Sequence, residues 1–129
     1  MSRKDEAEHL LGRSREFLET AEFQVSRGLF GIAVFSLEQA LQLFLKSRML
    51  VAGADYPRTH GVRALLEILS DLEVDEKKRV MKKVLRDYLF ELGTLEDAYI
   101  ASRYVMREFT EEEARRLMKM VKEVMSHVE

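Results

Sequence analysis

The chain has 129 residues, of which 47% are hydrophobic and 34% charged, with six glycines and one proline. This length and composition predict a single folded domain over residues 1–129 and argue against disorder. The absence of cysteine excludes a disulfide framework, a thiolate metal site and a cysteine nucleophile, and it is compatible with a reducing compartment. The net charge of −2 excludes a surface that attracts nucleic acid everywhere, so any polyanion site would be a local patch.

No apolar run reaches the roughly 18 to 20 residues that span a bilayer, and the N-terminal segment lacks the apolar centre of a signal peptide. The segment Phe30–Ala52 comes closest, but Glu38, Gln42, Lys46 and Arg48 interrupt it. We therefore expect a soluble, cytoplasmic protein with no membrane partner.

The first predicted helix covers about Lys4–Ser26, because its apolar residues recur at spacings of three, four and seven. Arg13, Arg15 and Glu19 fall on or near the side predicted to face water. Gly28 follows the last periodic residue, as a glycine that ends a helix commonly does.

The second predicted helix covers Phe30–Ala52 and is apolar around well over half of its circumference when residues are placed 100° apart. A surface helix shows an apolar stripe of only about 100°, so we expect this helix to be buried from several sides. One narrow line of it is polar and consists of Glu38, Gln39, Gln42 and Lys46. This line is either the one strip that reaches water or the wall of a groove or interface.

The loop that carries Pro57 is followed by a short predicted helix of about ten residues from Val62. A polar break at Ser70–Glu76 then precedes a helix with an apolar stripe from Val80 to Leu92. We expect Gly93 to bend or end that helix.

The rest of the chain predicts helix at Thr94–Tyr104 and a last helix opened by a capping box of Thr110 and Glu113. No stretch alternates with period two for long, so no sheet is expected. Four long amphipathic helices, short connections and one short extra helix predict an all-α, antiparallel, up-and-down four-helix bundle.

Charged clusters offer little catalytic chemistry. His9, His60 and His127 lie far apart and none belongs to a metal-ligand pair such as H-E-x-x-H, so no metal and no cofactor are expected. A basic cluster is either the exposed face of a helix or a contact strip for RNA or an acidic partner. Its members are Lys77, Lys78, Arg79, Lys82, Lys83 and Arg86.

Two blocks of sequence carry a family resemblance. The segment S-L-E-Q-A-L-Q-L-F-L-K at Ser36–Lys46 is followed by Y-P-R-T-H at Tyr56–His60 and a leucine-rich helix. Together with Arg103-Tyr104 and the closing F-T-E-E-E-A helix, these residues resemble the HEPN domain over nearly the whole chain.

The resemblance implies a four-helix bundle with a short extra helix, usually dimeric, that binds nucleotides or processes RNA. Small free-standing members are often paired with a minimal nucleotidyltransferase as a toxin and antitoxin. Catalytic members carry an arginine, four to six arbitrary residues and a histidine, which act on the RNA phosphate at the dimer cleft.

This sequence departs from the ribonuclease motif. Arg103 has no histidine within range, Arg116 is too far from His127, and Arg58 is too close to His60. Cleavage at a 2′-hydroxyl without metal needs a base beside the cation, and histidine is the usual choice. We therefore expect binding rather than catalysis.

The preferred hypothesis is a non-catalytic helical homodimer whose cationic groove holds a nucleotide, an RNA segment or a partner such as a minimal nucleotidyltransferase. The candidate binding residues are Lys46, Arg48, Arg58, His60, Arg63 and Arg103. The alternative is a metal-independent endoribonuclease toxin that uses His60 with Arg58 or Arg103 in a rearranged site. A third hypothesis makes the protein only an assembly partner.

Overall fold

The computed structural model describes residues 2–58, 61–104 and 108–129, with the backbone alone for residues 101–104. Within these ranges the chain forms six α-helices and no strand, which confirms the all-α prediction. The helices are α1 (Arg3–Ser26), α2 (Phe30–Val51), α3 (Val62–Asp71), α4 (Asp75–Asp87), α5 (Leu89–Tyr104) and α6 (Glu111–Val128). None of these helices combines the length and apolar character needed to cross a membrane.

The central helix is α2, which packs against α1, α3, α5 and α6. Its side chains at Leu37, Leu41, Phe44 and Leu45 are almost completely buried, as the wide apolar surface predicted. Burial of each such side chain contributes roughly 1.5–3 kcal/mol, so this helix makes a large contribution to hydrophobic stabilisation. Helices α1, α2, α5 and α6 form the bundle, while α3 and α4 pack on each other and against it.

Two buried serines join α1 to α2. The Ser14 hydroxyl donates to the Ala40 carbonyl oxygen at 2.6 Å, and the Ser47 hydroxyl donates to the Ala7 carbonyl oxygen at 2.7 Å. A buried hydroxyl without a partner costs about 1–3 kcal/mol, and these bonds avoid that cost. The two helices can therefore approach closely where Ala7 to Ser14 pack against Ala40 to Ser47.

The helix ends follow the local chemistry. The predicted capping box of α6 is confirmed, because the Thr110 hydroxyl accepts from the Glu113 amide at 3.1 Å and Glu113 accepts from the Thr110 amide at 2.9 Å. A second capping box, between Ser2 and Asp5 at the start of α1, has the same S/T-x-x-acid pattern but was not predicted.

The predicted break at Gly93 was wrong. Helix α4 ends at Asp87, α5 begins at Leu89, and Gly93 lies inside α5. Of the predicted stripe from Val80 to Leu92, Leu89 is half exposed, whereas Leu92 is buried and belongs to α5. Gly93 does not end a helix, and its role is to leave room for a neighbouring side chain, described below.

The predicted polar break at Ser70–Glu76 is likewise shorter than expected. Helix α3 continues to Asp71 and α4 starts at Asp75, which leaves only residues 72–74 between them. Ser70 lies in the last turn of α3, and its hydroxyl donates to the Glu67 carbonyl oxygen within the same helix.

Candidate functional site

The polar line of α2 forms a hydrogen-bonded chain. The amides of Gln39 and Gln42 donate to the two carboxylate oxygens of Glu38 at 2.9 and 2.6 Å, and Lys46 donates to the Gln42 amide oxygen at 3.1 Å. Lys46 also lies 5.2 Å above the ring of Tyr56. The line is therefore largely an ordered network and not a strip of side chains loose in water.

Glu38 is the buried member of this network, with only 2% of its surface exposed. Burial raises the pKa of Glu38 above the ordinary value, while the hydrogen bonds from Gln39 and Gln42 and the charge of Lys46 oppose the shift. Burial also lowers the pKa of Lys46, an effect that the charge of Glu38 opposes. Both shifts follow from the shielding of this part of α2 from solvent.

Glu38 and Gln42 face a pocket between α2, the loop before α3, and α5, hereafter the α2–α5 pocket. Its volume is about 410 Å³. It is lined by Glu38, Gln42, Arg58, Gly61, Glu96, Asp97, Tyr99 and Ile100. The lining therefore combines one cation with three carboxyl groups, an amide and an aromatic ring.

Glu96 links the floor of this pocket to α3. One oxygen of its carboxylate accepts from the Arg63 backbone amide at 2.8 Å, and the other accepts from the Arg63 guanidinium at 2.9 and 3.2 Å. The carboxylate thus caps the start of α3 and holds the Arg63 side chain. These contacts also raise the pKa of Arg63.

Two glycines make this contact possible. A Cβ at Gly61 would lie 2.5 Å from the Glu96 carboxyl carbon, and a Cβ at Gly93 would lie 3.2 Å from the Arg63 guanidinium. Only glycine at position 61 leaves enough space for the Glu96 carboxylate.

An aromatic pair borders the pocket on its other side. The rings of Phe35 on α2 and Tyr99 on α5 stack with centroids 6.1 Å apart and planes inclined by 15°. Near them, Ile32 and Ile100 expose 47% and 57% of their surfaces. This edge of the site is therefore apolar.

The basic cluster of α4 is mostly paired with local carboxylates. Ion pairs join Lys77 to Glu73, Arg79 to Glu76, Lys82 to Asp71 and Lys83 to Asp87, with N···O distances of 3.6, 3.0, 2.8 and 2.7 Å. This arrangement favours the interpretation of the cluster as an exposed helix face over that of a contact strip for RNA.

Comparison with known proteins identifies the family of the chain. The model of the HEPN domain family matches residues 7–129, nearly its whole length. The chain belongs to the HEPN family.

A solved structure supports the fold of this HEPN chain. The crystal structure of TT1696 from Thermus thermophilus superposes with a TM-score of 0.75 at 24% sequence identity, and the match covers 95% of the HEPN chain and 94% of TT1696. At this identity the likeness shows the shared fold alone. A comparison with curated proteins returned no match.

The six candidate binding residues of the HEPN chain do not share one pocket in the described structure. Arg58 lines the α2–α5 pocket, and Arg63 is held by Glu96 beside it. Lys46 belongs to the α2 network, whereas Arg48 lines a different cavity, next to α1. His60 and the side chain of Arg103 lie outside the described residues.

The sequence reasoning missed the acidic wall that α5 contributes through Glu96 and Asp97. Their identity as site residues depends on how α5 is aligned against α2, which no local pattern specifies. Gly93 was the available signal, because a glycine inside a helix that it does not end has a packing reason for its presence.

Proposed function

We propose that this HEPN chain is a non-catalytic module that binds a nucleotide in the α2–α5 pocket. The observation that carries the proposal is the pocket lining, where a single arginine lies with carboxylates, an amide and an aromatic ring around a volume of about 410 Å³. Pockets for small molecules typically have volumes of about 300–1,000 Å³.

Each part of a nucleotide has a matching group in this lining. Arg58 lines the pocket, and its guanidinium can pair with a phosphate. Carboxylates such as Asp97 can accept hydrogen bonds from ribose hydroxyls, as acidic residues do in dinucleotide sites. Tyr99 and Ile100 provide an apolar surface for a base.

The charge balance favours a mononucleotide over a long RNA segment. Three of the residues that line the pocket carry carboxyl groups and one carries a guanidinium, so a run of phosphates would meet repulsion. A mononucleotide avoids this repulsion, because it places one phosphate group beside Arg58 and directs its ribose hydroxyls at the carboxylates.

Binding is preferred over catalysis because no histidine follows Arg58, Arg103 or Arg116 at the spacing of the catalytic members. Arg3 and His9 do have that spacing, but Arg3 is paired with Asp55 and neither residue lines the α2–α5 pocket. The described lining contains no histidine, and its buried carboxyl group, Glu38, already accepts two hydrogen bonds. The endoribonuclease alternative would rest on His60 with Arg58 or Arg103.

The proposed functional unit is a homodimer. Its support is the apolar edge of the site, where Ile32 and Ile100 are about half exposed beside the Phe35–Tyr99 stack. Sedimentation at micromolar concentration is expected to give twice the mass of one chain, and a single-chain mass would refute the dimer. Pairing with a minimal nucleotidyltransferase in a toxin–antitoxin system stays a prediction.

Calorimetric titration with AMP, ATP and a short RNA tests the proposed ligand. Loss of a charge-assisted contact costs about 1.5–3 kcal/mol, so Arg58→Gln is expected to weaken nucleotide binding tenfold or more. Arg86→Gln, a matched change at an exposed α4 position, is expected to leave binding within twofold.

Equal affinity of wild type and Arg58→Gln for AMP would refute the proposed site. Incubation of wild type and His60→Ala with labelled RNA in the absence of metal tests the alternative. Cleavage by wild type that is abolished in His60→Ala would establish the endoribonuclease and overturn the binding-only function.

A further inference from the structure

A second cavity lies on another side of α2, between its C-terminal half and the first turns of α1. Its volume is about 550 Å³. It is lined by Arg3, Lys4, Ala7, Glu8, Leu11, Ser47, Arg48, Leu50 and Val51. None of these residues lines the α2–α5 pocket, so the cavity, hereafter the α1–α2 cavity, is separate from the proposed nucleotide site.

The floor of the α1–α2 cavity is apolar and fixed in position. Ala7 and Leu50 are buried, and Leu11 packs against the core. Ser47 does not add a free polar group, because its hydroxyl already donates to the Ala7 carbonyl oxygen. At the edge, Val51 exposes 59% of its surface, so apolar surface continues out of the cavity.

The rim of the cavity is cationic. Arg3 is already engaged, since it donates to the Ala54 carbonyl oxygen at 2.9 Å and pairs with Asp55 at 3.2 Å. The side chains of Lys4 and Arg48 make no hydrogen bond or ion pair with the other residues that the structure describes. Glu8 supplies one negative charge, which leaves the rim with a surplus of about one positive charge.

The apolar floor and the cationic rim together indicate which class of ligand the α1–α2 cavity binds. A sugar and phosphate backbone would leave the apolar floor uncovered and would bring more negative charge than the rim can neutralise. A single carboxylate on a hydrocarbon chain would satisfy both parts, with the chain on the floor and the head beside Arg48 and Lys4.

We infer that the α1–α2 cavity binds the carboxylate of a fatty acid, with the hydrocarbon chain against Ala7, Leu11 and Leu50. Arg48 is the main head-group contact, because it projects from the well-packed α2 and has no competing partner among the described residues. This site is independent of the nucleotide site and of whether that site binds a nucleotide.

Titration of the intact protein with dodecanoate below its micelle concentration tests the inference. One molecule is expected to bind per chain, and dodecyltrimethylammonium, which has the same chain and the opposite charge, is expected to bind at least tenfold more weakly. Arg48→Gln is expected to weaken dodecanoate binding tenfold or more. Arg86→Gln serves as the matched control and is expected to change it less than twofold.

A second variant acts by filling the cavity and removes no charge. Val51→Trp changes an exposed residue at the cavity edge, so the fold is expected to survive, and the indole is expected to displace the ligand. Thermal unfolding of each variant tests whether the fold is retained. AMP binding by Arg48→Gln is expected to equal that of wild type, which separates this site from the α2–α5 pocket.

Two results would overturn the inference. Equal binding of dodecanoate and dodecyltrimethylammonium would show a non-specific apolar surface. Unchanged dodecanoate affinity in both Arg48→Gln and Val51→Trp would show that the ligand binds elsewhere or that the cavity does not bind it.

Discussion

Replacement of Gly61 by alanine tests whether Glu96 holds the start of α3. The new Cβ would lie 2.5 Å from the Glu96 carboxyl carbon, 2.6 Å from Oε1 and 2.9 Å from Cγ. These distances are too short for contact, but the carboxyl end of a glutamate can rotate away. The expected cost is therefore the loss of the Glu96 contacts and not a strained backbone.

The magnitude follows from the contacts that Glu96 would give up. The hydrogen bond from the Arg63 amide contributes about 1 kcal/mol. The ion pair adds about 0.5 kcal/mol, because the Arg63 side chain is 46% exposed and solvent weakens the attraction. Gly61→Ala is therefore expected to lower the free energy of unfolding by about 1.5 kcal/mol, or the melting temperature by about 5 °C.

A double-mutant cycle separates this mechanism from a general intolerance of alanine. Urea unfolding is measured for wild type, Gly61→Ala, Glu96→Ala and the double variant. Once Glu96 is gone, the Cβ at position 61 has space, so the second substitution is expected to change stability by less than about 0.5 kcal/mol. An equal cost of Gly61→Ala in both backgrounds would refute the reasoning.

Three further substitutions test other parts of the structure. Gly12→Ala is expected to raise the free energy of unfolding by about 0.5–1 kcal/mol in a urea titration, because a Cβ at this position inside α1 meets no atom within 4 Å; a loss of stability would contradict this. Thr110→Ala removes the capping oxygen of α6 and is expected to cost about 1 kcal/mol in the same titration, while Thr110→Ser, which keeps the oxygen, is expected to cost much less. Glu38→Gln removes a carboxyl group whose pKa is raised by burial, so the free energy of unfolding of wild type relative to this variant is expected to fall as pH rises above the ordinary glutamate value of 4.5. Urea titrations at pH values from about 4 to about 8 measure the difference in free energy of unfolding between wild type and Glu38→Gln. A difference that does not change with pH would show that Glu38 keeps an ordinary pKa in the folded protein.

The sign of the pH effect follows from the direction of the shift. A raised pKa means that the folded protein holds the Glu38 proton more tightly than the unfolded chain does. The stabilisation is therefore complete below the unfolded-state pKa and is lost as pH rises towards and through the folded-state pKa.

The sequence predicted the helices whose ends are set by local chemistry. Gly28 after α1 and the Thr110–Glu113 capping box before α6 act within a few residues of the chain, so their patterns can be interpreted without a tertiary structure. The wide apolar surface of α2 likewise required a central position, because no arrangement at the surface would cover it.

The division between α4 and α5 could not be predicted in the same way. Gly93 has two common roles, the end of a helix and a close approach, and they look alike in a single sequence. Only the position of Arg63 beside it, 30 residues away along the chain, decides between them. The capping contact of Glu96 with α3 has the same long-range character.

The candidate site shows the same division between local and long-range information. The line of Glu38, Gln42 and Lys46 was visible in the helical periodicity of α2. The prediction that the cationic candidates share a groove required a relation between separate segments, and the described structure places Arg48 and Arg58 at different cavities. Helical periodicity shows which face a residue occupies but not which partner that face meets.

The hydroxyl contacts between α1 and α2 also limit how the bundle can move. Ser14 donates from α1 to α2, and Ser47 donates from α2 to α1, at positions about two turns apart on each helix. A slide of one helix along the other by one turn, about 5.4 Å, would break both bonds at once and leave two buried hydroxyls unpaired. The hairpin therefore behaves as a rigid frame, and a ligand-driven shift in this protein would have to be carried by the helices packed against it, α3 to α6.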